Sequence, residues 1–427
     1  TPGAAPSSQG PRNDSPSLFS SPRLRPFRAL QHQAYATLFG SFAVSHLGFG
    51  ISVLSLQWIM ADLTGNAPRM LGTLWFFMLL PMLVLSPVAG LVADRFDRKR
   101  VVITSPLSIA ATASVLTAVT YLELLSPGLL FVLAFALGTG ITFNGPSNQA
   151  ITANAVPARD MPSAISLNAA AMNLSRALGP ALAAPVLLRW GTVAGFATYA
   201  VTALITAALL TRIRVATKPP PGNGLGWFAR LREGFAYARE RKPTLAILGL
   251  VAITAVFGSS YPSLFPVFAR EVQGSGDRGF ILLTVCTGLG AFFGALITGY
   301  RETPLTVRGA ARLLVTLGLA IVTFATLRSP AIAVPVAVYA GGLNFACMTT
   351  MNAMLQYSVH EDKRGRVMAL YIVCWGGLIP IGVLSLGYLG ELLGTPLAVG
   401  LFGTACIALA LPAVLHRDGN RQLTRPD

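Results

Sequence analysis

Apolar stretches long enough to cross a bilayer follow one another along almost the whole chain, with short polar connections between them. A helical crossing needs roughly 20 apolar residues. The pattern predicts twelve, at approximately 35–60, 70–93, 101–122, 128–153, 162–188, 192–213, 244–268, 279–300, 309–327, 331–356, 366–390 and 396–415. The expected fold is therefore an all-α membrane protein. The longest polar connection, 214–243, divides it into six helices plus six. This predicts a disordered cytoplasmic tail over 1–30, a first six-helix bundle over 31–213, a linker over 214–243, a second bundle over 244–416 and a cytoplasmic tail over 417–427. Within the linker, KPPPGNG breaks any helix, and LGWFARLREGFAYARERK then alternates aromatic and basic residues at helical spacing. Two readings fit: an amphipathic helix on an anionic leaflet, with Trp227, Phe228 and Phe235 at the interface, or a solvated tether.

Charge placement orients the chain. Of its 32 Lys and Arg, only Arg69, Arg189, Arg270, Arg278 and Arg328 fall in the connections on one side, and Arg176 lies inside a span. The rest lie on the other side. Basic residues mark the cytoplasmic face, so both termini are expected there, in a plasma or bacterial inner membrane. Composition agrees: 53% of residues are hydrophobic and 11% charged, against about a quarter charged in soluble domains. A formal charge of +16 invites a nucleic-acid reading, but the cations are dispersed between apolar spans and form no single face, so no nucleic-acid partner is expected. Cys286, Cys347, Cys374 and Cys406 lie within apolar segments without metal or redox spacing. No metal or cofactor is predicted. No signal-peptide pattern precedes the first span, which is expected to serve as the insertion signal.

The run GLVADRFDRKR, Gly90 to Arg100, joins two predicted spans with two acids, three arginines and a lysine in a very short link. Gly90 and Asp94 are four apart and share a helix face, the glycine allowing a close neighbour. The run resembles the signature loop between helices 2 and 3 of the major facilitator superfamily. With Asp97 at a position usually held by glycine, it is similar to the enterobactin-exporter-like and macrolide-efflux-like branch. That resemblance implies two pseudo-symmetric six-helix bundles that alternate access. It also implies an inner gate of Gly90, Asp94, Arg95, Arg98, Lys99 and Arg366, in which the loop fastens helix 2 to helix 11. A weak internal repeat supports the two halves: Gly90 and Gly294, Gly138 and Gly342, and Asn148 and Asn352 are each 204 residues apart. In GALITGYRETP, the second copy of the loop, Thr298 stands where Asp94 would be.

Helix 5 carries a second resemblance. Gly179–Pro180 followed by Ala183 and Ala184 is similar to the superfamily's antiporter motif, which implies export; ordinary packing of small residues is the alternative. Arg176 is a cation deep in a span, costing at least ~2.5 kcal/mol on insertion scales, so it must face the protein interior. With Asn168 and Asn173 it falls in an arc of about 140° at 100° per residue. It either meets an acidic or hydrogen-bonding substrate or ties to a neighbouring helix. His46, in the middle of helix 1, is either a proton carrier or a neutral hydrogen-bonding residue. No acid lies mid-membrane; Asp62, Glu123 and Glu391 sit near helix ends.

Asn144, Asn148, Tyr261, Asn344, Gln356 and Trp375 complete the substrate and coupling candidates, with helix-to-helix hydrogen bonding as the competing role. The segment beginning helix 11, which contains Arg366, again resembles the exporter branch. GLGAFFG, at 288–294, spaces glycines like a nucleotide loop but lies within an apolar span with no strand before it. No paired acid, metal cluster or activated nucleophile is visible, which argues against an enzyme. The expectation is a secondary transporter, acting as a monomer among membrane lipids. It would export an amphipathic small molecule of siderophore or macrolide type by proton antiport. The alternatives are a lysophospholipid-like substrate, or a receptor or scaffold that kept the fold without transport.

Overall fold

The computed structural model describes residues 22–213, 227–299 and 306–415. Within these, the side chains of several helical residues, among them Asp94, Arg95, Asn173, Arg176, Trp227 and Phe228, lie outside the described part. The loop copy at 300–305 lies outside it as well. A short 3-10 helix, Pro22–Gln31, leads into α1 (Gln33–Thr64). Then follow α2 (Pro68–Val84), α3 (Ser86–Arg95), α4 (Arg98–Tyr121), α5 (Pro127–Ala155) and α6 (Met161–Thr211). The linker helix is α7 (Trp227–Glu240). Beyond it come α8 (Lys242–Ile253), α9 (Phe265–Val267), α10 (Gly276–Gly299), α11 (Val307–Thr326), α12 (Pro330–Ser358), α13 (Glu361–Leu393) and α14 (Thr395–Leu415). Among the described residues there is no strand. Helices are the required solution here, because lipid offers no partner for a backbone N–H or C=O.

Sequence chemistry sets the breaks. Pro81 lies inside α2 and Pro87 opens α3, and the two helices form one span bent by 47°. Pro87 brings no N–H to the helical ladder, so the turn around Leu85 cannot be fully bonded. In α6 the chain leaves helical geometry at Gly191 (φ 72°, ψ −173°). Glycine takes that region at little cost. Residues equidistant from Gly191 lie side by side: a Cβ on Gly195 would meet both Ser55 of α1 and Leu187. Likewise Gly179 and Thr202 both meet α1 at Gly50 and Gly48. The 51-residue element is thus an antiparallel pair of crossings. With it counted as two and α2–α3 as one, the described residues make twelve crossings, at the predicted places.

The seventh span departs from the single helix expected over 244–268. It runs from Lys242 to Val272 as α8, a π turn at Thr254–Gly258, a 3-10 turn at Tyr261–Leu264, α9 and a second π turn at Phe268–Val272. Pro262 and Pro266 remove donors here, and α12 compensates. Asn344 Nδ2 donates to the Gly258 carbonyl (3.1 Å), and its Oδ1 accepts from Ser259 Oγ (3.2 Å).

The two halves meet through α2 against α13 and α6 against α10. Exchanging the halves maps one pair onto the other, as a pseudo-two-fold requires. Gly294 and Gly342, which follow Gly90 and Gly138 by 204 residues, touch through their backbones in the second half, whereas in the first half Gly138 packs against the Met78 carbonyl and not against Gly90. The linker helix α7 lies against the start of α13. Ala238 is fully buried, and Gly234 sits under the Arg366 carbonyl, 2.6 Å from where a Cβ would stand. Phe235 faces outward, 53% exposed.

Candidate transport pathway and its gates

One end of the bundle carries the Gly90–Arg100 turn and the 3-10 helix, and is called the basic end. At the opposite end the halves are fastened. Arg270, at the close of the seventh span, directs Nη1 to Asp62 Oδ1 at the end of α1 (2.7 Å) and to Asn66 Oδ1 (3.0 Å). Its Nη2 and Nε reach Asp277 Oδ1 of α10 at 2.6 and 2.8 Å. The Trp58 ring lies 5.9 Å from the guanidinium carbon and meets Phe280 edge-on. One turn inside, Gly72 and Gly387 let α2 and α13 touch backbone to backbone, with a Cβ on Gly72 placed 2.9 Å from Gly387 Cα. Arg69 lies over Tyr388 beside them.

The basic end is different. Nothing lies within 4 Å of where a Cβ on Gly90 would stand, and Val88, Leu91 and Phe96 are exposed. Arg366 Nη1 pairs with Glu233 Oε2 of α7 at 2.7 Å. Asp97 caps α4, accepting from the Lys99 backbone N–H (2.8 Å), so the residue unusual for the loop motif starts a helix. Arg98 and Lys99 occupy the first turn of α4, half-buried. Asp94 and Arg95 end α3, and their side chains are outside the described part.

The interior candidates are spread over several contacts. His46 Nδ1 donates to the Phe42 carbonyl (2.9 Å), its ring 3.9 Å from that of Phe42. Asn168 Oδ1 lies 3.1 Å from the Tyr35 hydroxyl, which donates to the Ala164 carbonyl at 2.8 Å. These contacts join α1 to α6. Asn144 and Asn148 are half-buried on α5, and Trp375 is half-buried on α13 beside the core. Gln356 is exposed and donates to Asn352 Oδ1. Asn344 serves the break in the seventh span, as described. Tyr261 lies at full burial among Phe265 and Phe324, with its ring edge-on to both. Gly179 and Pro180 pack on Gly50 of α1, where a Cβ on Gly179 would come within 2.8 Å of the Gly50 Cα. Asn173 and Arg176 sit on α6, with side chains outside the described part. A separate crevice of about 530 Å³ between α3, α4 and α5 is lined by Thr104, Ser105, Ser108, Thr112, Thr139 and Phe135, none of them a predicted site residue.

Twelve crossings in two related halves, fastened at one end and parted at the other, define a major facilitator transporter. The family model for transmembrane secretion effectors matches residues 24–422, and the chain belongs to that family. Its curated relatives are efflux proteins and transporters. Macrolide efflux protein A of Streptococcus pyogenes is 23% identical over 89% of this chain and 95% of that protein. The staphyloferrin A transporter of Staphylococcus aureus is 24% identical over 87% and 94%. The multidrug efflux pump Tap of Mycobacterium tuberculosis is 26% identical over 90% and 94%. Among solved structures, a bacterial homologue of the lysosomal transporter Spinster, inward-facing and occupied, shares the fold with a TM-score of 0.71 at 13% identity, covering 89% of this chain and 95% of that one. A D-xylose–proton symporter gives 0.68 at 15%, over 92% and 98%. The protein is an integral membrane transporter, not an enzyme.

The fastening at Arg270 was not visible in the sequence. Asp62 and Arg270 each read as a residue near a helix end, and nothing local pairs them.

Proposed function

We propose that this chain exports an amphipathic small molecule of siderophore or macrolide type by alternating access, coupled to proton antiport, with the basic end in the cytoplasm. The asymmetry of closure carries the reading. Backbone contact at Gly72–Gly387 and the Arg270 ion pairs seal one end, while Gly90 faces open space at the other. With the basic end inside, this is an inward-open carrier ready to load. In the opposite state Gly90 lets α3 approach the start of α13, and Asp94, Arg95, Arg98, Lys99 and Arg366 close the cytoplasmic side. Arg366 then leaves Glu233 for that gate. The names of the relatives supply the substrate class, and the seam of Gly179 and Pro180 on Gly50 supports export.

The test is accumulation of a labelled macrolide and a labelled siderophore in cells producing the protein, with and without a protonophore. Lower accumulation that the protonophore abolishes is expected. Asp94→Asn should insert normally yet lower the export rate by about tenfold, equivalent to ~1.4 kcal/mol in the gate equilibrium. Unaltered export by that variant removes the gate assignment, and no effect on either substrate class removes the export reading.

A further inference from the structure

The Arg270 cluster has a division of labour that the export reading leaves unused. Asp277 belongs to the same half as Arg270 and takes two of its N–H groups, through Nε and Nη2. Asp62 and Asn66 belong to the other half and both meet Nη1. When the halves part, Arg270 keeps Asp277 and so stays neutralised, while Asp62 loses its cation and keeps only the hydrogen bond from Trp58 of its own helix. At this end of the bundle α1 ends at Thr64 and the seventh span at Val272, and α2 starts at Pro68 and α10 at Gly276, each 208 residues apart, so Asp62 and Arg270, also 208 apart, hold corresponding positions in the two halves. A residue and its repeat partner can touch only near the pseudo-two-fold axis. The bond between them therefore lies where a passage between the halves must open. Burial divides the same way: Arg270 is 15% exposed, Asp62 46% and Asp277 42%, so both acids meet water from that end while the cation is covered. Arg270 and Asp277 are the charged groups that face Asp62 from the opposite half.

We infer that Asp62–Arg270 is the releasable latch of the outer gate, and that a proton taken from outside by Asp62 releases it. The carboxylate becomes a neutral acid, its ion pair with Arg270 is lost, and Asp277 holds the guanidinium in its own half. A charge-assisted hydrogen bond is about twice as strong as a neutral one, so the proton converts the strongest cross-gate contact into a weak one. This rests on the proton-antiport reading for its place in the cycle. It names the acid that the interior of the bundle does not provide.

The latch is tested without substrate, on purified protein in lipid nanodiscs. Leu124 and Leu392, exposed at the latched end of α4–α5 and α13, are changed to cysteine and spin-labelled in a background with Cys286, Cys347, Cys374 and Cys406 replaced by serine. Pulsed electron-paramagnetic-resonance distances are then compared between about pH 7 and about pH 4, which spans carboxylate titration. The wild-type distance should lengthen on acidification. Asp62→Asn should show the long distance at neutral pH, with the open population raised about tenfold, within the usual range of coupling between sites, and no further change with pH. Asp277→Asn should keep the pH response, and Arg270→Lys, which retains the charge but not the fork, should open partly. A wild-type distance in Asp62→Asn overturns the latch; a full pH response in that variant overturns Asp62 as the proton site. If the distances behave as expected while cells show no proton-driven export, the antiport reading fails and the latch stands.

Discussion

Two hydrogen bonds and two ion pairs converge on the carboxylate of Asp160, whose side chain has no exposed surface. His32 Nε2 donates to Oδ2 at 2.9 Å and Gln31 Nε2 to the same oxygen at 3.2 Å, while Arg28 Nε and Arg159 Nε stand as ion-pair partners at 3.5 and 3.7 Å. Beside it the Ala29 N–H donates to Ser163 Oγ, so the segment before α1 is pinned to the connection between α5 and α6. The hydrogen bond from His32, opposed by burial and assisted by Arg28 and Arg159, holds the Asp160 carboxyl below the usual carboxylate range. A group with a depressed folded value stabilises the protein above its unfolded value, near pH 4, and that contribution disappears as pH falls through the folded value. Thermal unfolding in detergent should therefore show Asp160→Asn less stable than wild type at neutral pH, with the difference closing below about pH 4. A constant difference across that range would show that charge is not what the site uses. None of this was legible locally. Asp160 reads as one acid in a short loop, and apart from the neighbouring Arg159 its partners lie about 130 residues earlier.

Between elements, the contrast between two glycines tests how tightly α1 and α6 must pack. Gly179 touches Gly50, whereas nothing lies within 4 Å of where a Cβ on Gly249 would stand. Gly249→Ala should stabilise its helix by roughly 0.5–1 kcal/mol, since alanine is the better helix former. Gly179→Ala should destabilise by roughly 1–3 kcal/mol, the range for overpacking, and lower transport. Unfolding temperatures of the two variants in detergent decide it; a gain at both positions would mean the seam is loose. Helix boundaries were readable because each crossing must be apolar for its full length. α4 spans Arg98–Tyr121 where 101–122 was expected, and Gly191 falls in the connection expected after 188. The seventh span escaped, since a run of apolar residues does not reveal that Asn344 of another helix will accept the burden of its freed carbonyl. The docking of α7 on α13 escaped as well: amphipathicity shows that one face seeks cover, not whether lipid or protein provides it.

At the scale of the whole molecule, the two ends of the bundle should differ in reactivity. Gly90→Cys, facing open space, should react with a membrane-impermeant thiol reagent in inverted vesicles, in a background lacking the four native cysteines. Gly387→Cys, against Gly72, should be protected in right-side-out vesicles. The reverse pattern would mean that the resting protein opens the other way. The sequence alone determined that the chain lives in lipid, how many times it crosses, and which connection carries the loop that resembles the superfamily's signature. Those properties follow from the cost of placing polar groups in hydrocarbon, which acts residue by residue along the chain. Tertiary structure alone decided which end is closed, that Arg270 bridges the halves, and that Arg366 rests on Glu233. Such pairs form between residues over a hundred positions apart, and their strength depends on shared burial and distance, quantities that exist only once the helices have packed.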